Sequence, residues 1–102
     1  AQWLETQGYI VKARNYRSRY GEIDIIAENH EYIVFVEVKT RRSGAMVSPL
    51  EAVTREKQRK ILLTAQTYLL KSSSALQPRF DVSAVAHGEI LGLQYFPNAF
   101  GE

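Results

Sequence analysis

Two carboxylates and a lysine, Asp24, Glu37 and Lys39, lie on neighbouring apolar stretches whose spacing can bring them to one point. Strand residues alternate faces, so Glu37 and Lys39 project from the same side of their strand, roughly 7 Å apart along it. Ile33 and Phe35 share that face, while Val34, Val36 and Val38 point the other way. Both faces are apolar except near the strand's end, the pattern of a strand covered on both sides, where a charge needs a reason. On the preceding stretch Ile23, Ile25 and Ala27 alternate with Glu22, Asp24 and Ile26. Paired as a hairpin with a four-residue loop, the two stretches set residue 28 against 33 and Asp24 against Glu37. Directly opposed side chains sit about 5 Å apart, and carboxylates about 4 Å apart repel by roughly 4 kcal/mol at an effective dielectric of 20. Lys39 or a bound cation must offset that repulsion. Two carboxylates and water suit Mg²⁺ or Mn²⁺, which take oxygen ligands and keep part of their hydration. A buried Glu–Lys ion pair with Asp24 beside it, and no catalysis, fits the same residues equally well.

The elements that must hold these groups follow from pattern and punctuation. Ala1 to Gln7 reads as a short helix closed by Gly8. It starts without methionine or a capping residue, so the expectation is a truncated N-terminal helix. Tyr9 to Tyr16 alternates as a strand, Arg17 to Gly21 forms a basic link, and Ile23–Ala27 and Tyr32–Lys39 are the clearest strands. After a polar loop over residues 40–47, Ser48-Pro49-Leu50-Glu51 offers a capping box with proline at the first helical position. The helix is expected to run to about Lys71, where Ser72-Ser73-Ser74 breaks it. Leu50, Val53, Ile61, Ala65, Tyr68 and Leu69 share one broad face, the face that packs on a sheet. Arg79–Ala86 and Glu89–Phe96 read as two further strands around a His87-Gly88 turn. The expected architecture is α/β, a mixed sheet flanked by helices in the order α-βββ-α-ββ, with residues 1–102 forming one domain.

Composition bounds the rest. At 102 residues the chain suffices for one core. No apolar run approaches the roughly 20 residues of a membrane-spanning helix, and no secretory signal is visible. Absence of cysteine excludes disulfides and thiolate chemistry and fits a reducing cytoplasm, and two histidines are too few for a three-histidine zinc site. A net charge of +2 does not announce a nucleic-acid binder, but the basic residues crowd into the front part of the chain. Lys12, Arg14, Arg17 and Arg19 are followed by Lys39, Arg41 and Arg42, then by Arg55, Lys57, Arg59 and Lys60. Phosphate contact needs such a distribution; ordinary solvated surface explains it equally well.

Gly21-Glu22-Ile23-Asp24 followed by Phe35-Val36-Glu37-Val38-Lys39-Thr40-Arg41 resembles the signature of the YraN-like family. That family is a branch of the PD-(D/E)XK nuclease superfamily, similar in fold to archaeal Holliday junction resolvases. The likeness extends through Gly8-Tyr9, Asn15-Tyr16-Arg17, Ala52-Val53 with Lys57, and Asn98-Ala99-Phe100. It implies a restriction-endonuclease-like core in which Asp24, Glu37 and the Val38 carbonyl bind Mg²⁺ or Mn²⁺. Lys39 would orient or deprotonate the attacking water and stabilise charge growing on the phosphate. Ile23 stands where the superfamily name has proline. The family pattern also has an upstream Gly-Glu pair whose glutamate often completes the metal site, and this chain begins after it.

Among other candidates, Glu22 shares the face of Asp24 and reads either as an outer metal ligand or as an exposed strand-start residue. Lys57 interrupts the apolar arc of its helix; most such lysines snorkel, but the resemblance favours a place beside the site, touching phosphate. Arg17, Arg41 and Arg42 flank the motif strands and are candidates for nucleic-acid backbone contact. Glu51 is explained by its capping role, and His30 and His87 are turn residues. The resemblance thus implies a metal-dependent endonuclease acting on branched or structured DNA, as a homodimer matched to a two-fold substrate. The alternatives are a nucleic-acid-binding module without cleavage and an interaction protein whose acidic cluster is structural.

Overall fold

The computed structural model describes residues 2–42, 53–87 and 93–101. Helix α1 spans Gln2–Thr6, and strands β1, β2 and β3 span Ile10–Ser18, Gly21–Glu28 and Tyr32–Arg42. Helix α2 spans Arg55–Ser72, and strands β4 and β5 span Gln77–His87 and Leu93–Phe100. Among the described residues the order is α-βββ-α-ββ, and this order and the α/β class are those the sequence predicts. The strands form one mixed sheet in the order β1-β2-β3-β4-β5. Only the β3–β4 pair is parallel, and a parallel pair needs a long crossover, which carries α2.

Each helix covers one face. Ile61, Thr64 and Ala65, spaced at one helical turn, are the buried residues of α2. They pack with Ile23, Ile26, Ile33, Phe35, Phe80, Val82 and Ala84. Phe35 is enclosed there, stacked on Phe80 at 5.3 Å and edge-on to Tyr68 at 6.2 Å. Burying an aromatic or aliphatic side chain of this size contributes about 1.5–3 kcal/mol. On the opposite face Leu4 of α1 covers Ile25, Ala27, Val34 and Val36. Gly8, at φ +91°, turns the chain from α1 into β1 in a conformation that suits glycine.

The β2–β3 hairpin has the predicted register, with Glu28 opposite Ile33 and Ile25 opposite Val36. Its loop is fixed by Asn29, whose Oδ1 accepts from the backbone N–H groups of Glu31 (2.9 Å) and Tyr32 (2.6 Å). Strand β5 runs on to Phe100 where the expected strand ended at Phe96, with residues 88–92 outside the described residues, and three other boundaries differ from expectation. Strand β1 continues through Ser18, which leaves Arg19–Tyr20 as the turn of the basic link, and β3 continues to Arg42 in register with β4 as far as His87; the rest of the expected 40–47 loop lies outside the described residues. The described start of α2 is Thr54, which is extended and whose Oγ1 accepts from Lys57 N–H. Residues 53–54 are not helical, so the helix does not run unbroken from 48 to 71; the Ser48–Glu51 box lies outside the described residues. Val53 is buried as predicted, but it packs from the approach to the helix. Finally, Ile23 joins the α2-side cluster while Ile25 and Ala27 join the other. The alternation resets near Asp24, across from Asn15, which adopts φ 51° between Arg14↔Ile25 and Tyr16↔Ile23.

Candidate active site

Regular β2–β3 pairing ends at Ile25↔Val36, and the next two residues toward the sheet's end are Asp24 and Glu37. Beyond that pair the Val38 N–H donates to Asp24 Oδ2 at 2.7 Å. A side-chain carboxylate thus takes the amide that a longer ladder would have used, which fixes Asp24 where the strands part. Glu37 follows Phe35 on the α2 face and lies beside Val82 of β4, with Lys39 beside Ala84. Only 5 % of Glu37 is exposed, whereas Asp24 and Lys39 are half-buried.

The charge that meets Glu37 directly comes from α2. Lys57 Nζ lies 2.8 Å from Glu37 Oε2, with 45 % of the Lys57 side chain in water. The helix's first turn, set by the Thr54 cap, aims Lys57 across the sheet. Burial pushes the Glu37 carboxyl up from the usual glutamate range; Lys57 pulls it back, Asp24 raises it again, and Lys39 lowers it. Lys57 is also held up, chiefly by its bond to Glu37, with Asp24 contributing. Both partners move upward because Glu37 bears the desolvation while Lys57 keeps much of its hydration. The 2.8 Å contact is that of an ion pair.

Asp24, Glu37, Lys39 and Lys57 are therefore one electrostatic cluster. Sequence reasoning grouped the first three and set Lys57 beside them, but named Lys39 or a bound cation as the offset for the carboxylates, whereas Lys57 makes the close pair with Glu37. Glu22 is turned toward β1, 3.9 Å from the guanidinium of Arg17, whose side chain is 79 % exposed. It lines a cleft of about 480 Å³ with Gly21, Thr54, Lys57 and Lys60. Arg41 and Arg42 continue β3 opposite Ala86 and His87; their side chains lie outside the described residues. Among the described residues no three histidine or carboxylate side chains come together as a metal cage. The donors present are two carboxylates and backbone carbonyls, hard oxygen groups that fit Mg²⁺ or Mn²⁺ with water completing the shell.

A second buried charge group escaped sequence reasoning. Asp81, fully buried, accepts at Oδ1 from Arg79 Nε (3.0 Å) and Asn98 N–H (2.9 Å). Its Oδ2 accepts from Arg79 Nη2 (2.8 Å) and the Tyr95 hydroxyl (2.5 Å). Arg79 Nη2 also donates to Tyr9 Oη at 2.8 Å, and the guanidinium lies over Tyr32 at 4.7 Å. The Asp81 bonds hold Arg79 strongly protonated, and burial, with Asp81, pushes the Tyr95 hydroxyl far up. Asp81 pairs with Val36, on the face away from α2, so this network ties β4 to β5 and the start of β1 behind the site. An arginine and an aspartate two apart on a strand otherwise rich in apolar residues were the available signal.

Comparison with known proteins identifies the family of the chain. Residues 1–85 match the model of the family described as "Uncharacterised protein family UPF0102". A "UPF0102 protein" of Dictyoglomus turgidum is 41 % identical over 97 % of this chain and 87 % of its own length. One from Syntrophotalea carbinolica is 46 % identical over 98 % of this chain and 83 % of its own. A third, from Lachnoclostridium phytofermentans, is 45 % identical over 99 % and 87 %. The chain belongs to the UPF0102 family, the YraN family that its motifs resemble. No helix of the described residues is long and apolar enough to cross a membrane.

Proposed function

We propose that this protein is a metal-dependent nuclease that hydrolyses nucleic-acid phosphodiesters, with branched or structured DNA as its preferred substrate. The observation that carries the reading is the joining of Asp24 and buried Glu37 with two lysines where β2 and β3 part. Holding two carboxylates in mutual repulsion inside a sheet costs stability, and a cation-binding role accounts for that cost. Asp24, Glu37 and the Val38 carbonyl are the groups that would hold Mg²⁺ or Mn²⁺, which when bound supplies Lewis acidity to a phosphoryl oxygen and to the attacking water. Lys39, on the Glu37 face, orients that water and stabilises negative charge growing on a non-bridging oxygen. Arg17, Arg41, Arg42 and Lys57 contribute cationic contacts to the nucleic-acid backbone. A two-fold dimer of this chain would present two such sites to a branched substrate.

The Lys57–Glu37 bridge favours one other reading, a structural ion pair without catalysis. Cleavage of linear, flapped and four-way DNA in the presence of Mg²⁺ or Mn²⁺ decides between them. Metal-dependent product lost in Asp24→Asn supports the nuclease; metal-independent, salt-sensitive DNA binding without cleavage supports a binding module.

A further inference from the structure

We propose that Lys57 is a displaceable stand-in for the divalent cation, seated on the Glu37 oxygen that a metal would need and leaving it for the adjoining cleft when the metal binds. This inference rests on the metal-binding reading above and adds to it the regulation of the same site. Its basis is the 2.8 Å contact of Lys57 Nζ with Oε2 of a carboxylate that is 5 % exposed. With so little surface and Oε2 already held by an ammonium, Glu37 is a poorer ligand for a second cation while Lys57 remains. Charge gives the same answer. Asp24 and Glu37 are formally balanced by Lys39 and Lys57, so a divalent ion added to all four leaves a local excess of two positive charges.

One ammonium must then move, and the structure distinguishes the two. Lys39 springs from the sheet itself, half-buried beside Ala84. Lys57 stands on the helix with 45 % of its side chain already in water and a flexible stem. The cleft next to it, about 480 Å³, is lined by Glu22, Thr54, Glu56 and Lys60 as well as Lys57, so its carboxylates can receive the displaced ammonium. An ammonium swung into that space joins Lys60 and meets an incoming phosphate. The metal-free protein thereby keeps Glu37 compensated, and metal binding and phosphate recognition become coupled through one side chain.

Calorimetric titration of the full chain with Mn²⁺, without nucleic acid, tests this. Wild type is compared with Lys57→Met, Lys57→Gln, Lys60→Met and Glu37→Gln. Lys60 supplies the control: it carries the same charge on the same cleft but pairs with Glu56 at 3.8 Å. Removing the competitor should tighten Mn²⁺ binding in both Lys57 variants by about tenfold or more, the factor expected when about a tenth of the sites are competent beforehand. Lys60→Met, a screened charge change, should alter it less than about threefold, and Glu37→Gln should abolish it. If the Lys57 variants bind no tighter than Lys60→Met while Glu37→Gln still abolishes binding, the stand-in role is overturned and the metal site survives. Absence of Mn²⁺ binding in wild type and both Lys57 variants overturns the metal site and this inference together.

Discussion

Replacing Glu37 by glutamine separates a functional carboxylate from a structural one, because the two roles predict opposite effects on stability. The substitution keeps side-chain volume and removes one charge from a residue that is 5 % exposed. It relieves desolvation and repulsion from Asp24, the two causes that raise the Glu37 carboxyl. Against this stands the lost ion pair, whose partner is 45 % exposed; such half-solvated pairs contribute about 1 kcal/mol or less. Glu37→Gln should therefore fall within about 1 kcal/mol of wild type at neutral pH, or exceed it. The pH dependence has a definite sign. A carboxyl raised above the ordinary glutamate value of 4.5 binds its proton more tightly in the folded state. Its contribution to stability is fully present below 4.5 and is lost as pH rises through the folded value. The stability of Glu37→Gln relative to wild type should thus increase with pH across that window. Urea unfolding of both proteins between about pH 4 and 8 measures it. A loss of about 3 kcal/mol or more at neutral pH would mark Glu37 as one half of a structural salt bridge and refute the reasoning.

Three further outcomes are expected. Asp81→Ala strips four hydrogen bonds and leaves the half-buried Arg79 without its counter-ion, so denaturant unfolding should show a loss of about 3 kcal/mol. Thr54→Ala removes the acceptor for the Lys57 N–H and should cost about 1 kcal/mol in the same assay. Lys39→Ala should lower cleavage by about 10² or more while DNA affinity falls only slightly, and Lys39→Arg should not rescue it; equal losses in binding and cleavage would make Lys39 a binding residue.

Much of the site was legible because it depends on local rules. Four polar residues between two apolar stretches set the hairpin register, and that register places Asp24 next after the last pair with Glu37 next on the other strand. What the sequence concealed depends on tertiary geometry. Strict alternation puts Ile23 with Ile25, but the left-handed Asn15 lets β2 change face around Asp24. Local pattern shows Lys57 as an interruption of an apolar arc and the family resemblance sets it beside the site, but nothing local says that the first turn of α2 brings it onto Glu37. The Arg79–Asp81 network joins residues from β1, β4 and β5, and its parts look like ordinary surface polarity until the sheet assembles.

The central claim is that Asp24 and Glu37 make a metal-dependent phosphodiesterase site, and the direct measurement is cleavage of four-way and flapped DNA by wild type and Asp24→Asn with Mn²⁺, Mg²⁺ and excess chelator. The account predicts product from wild type only with a divalent ion, and none above background from Asp24→Asn, which should melt like wild type. Equal cleavage by both proteins, or none by wild type with either ion on any DNA structure, would contradict it.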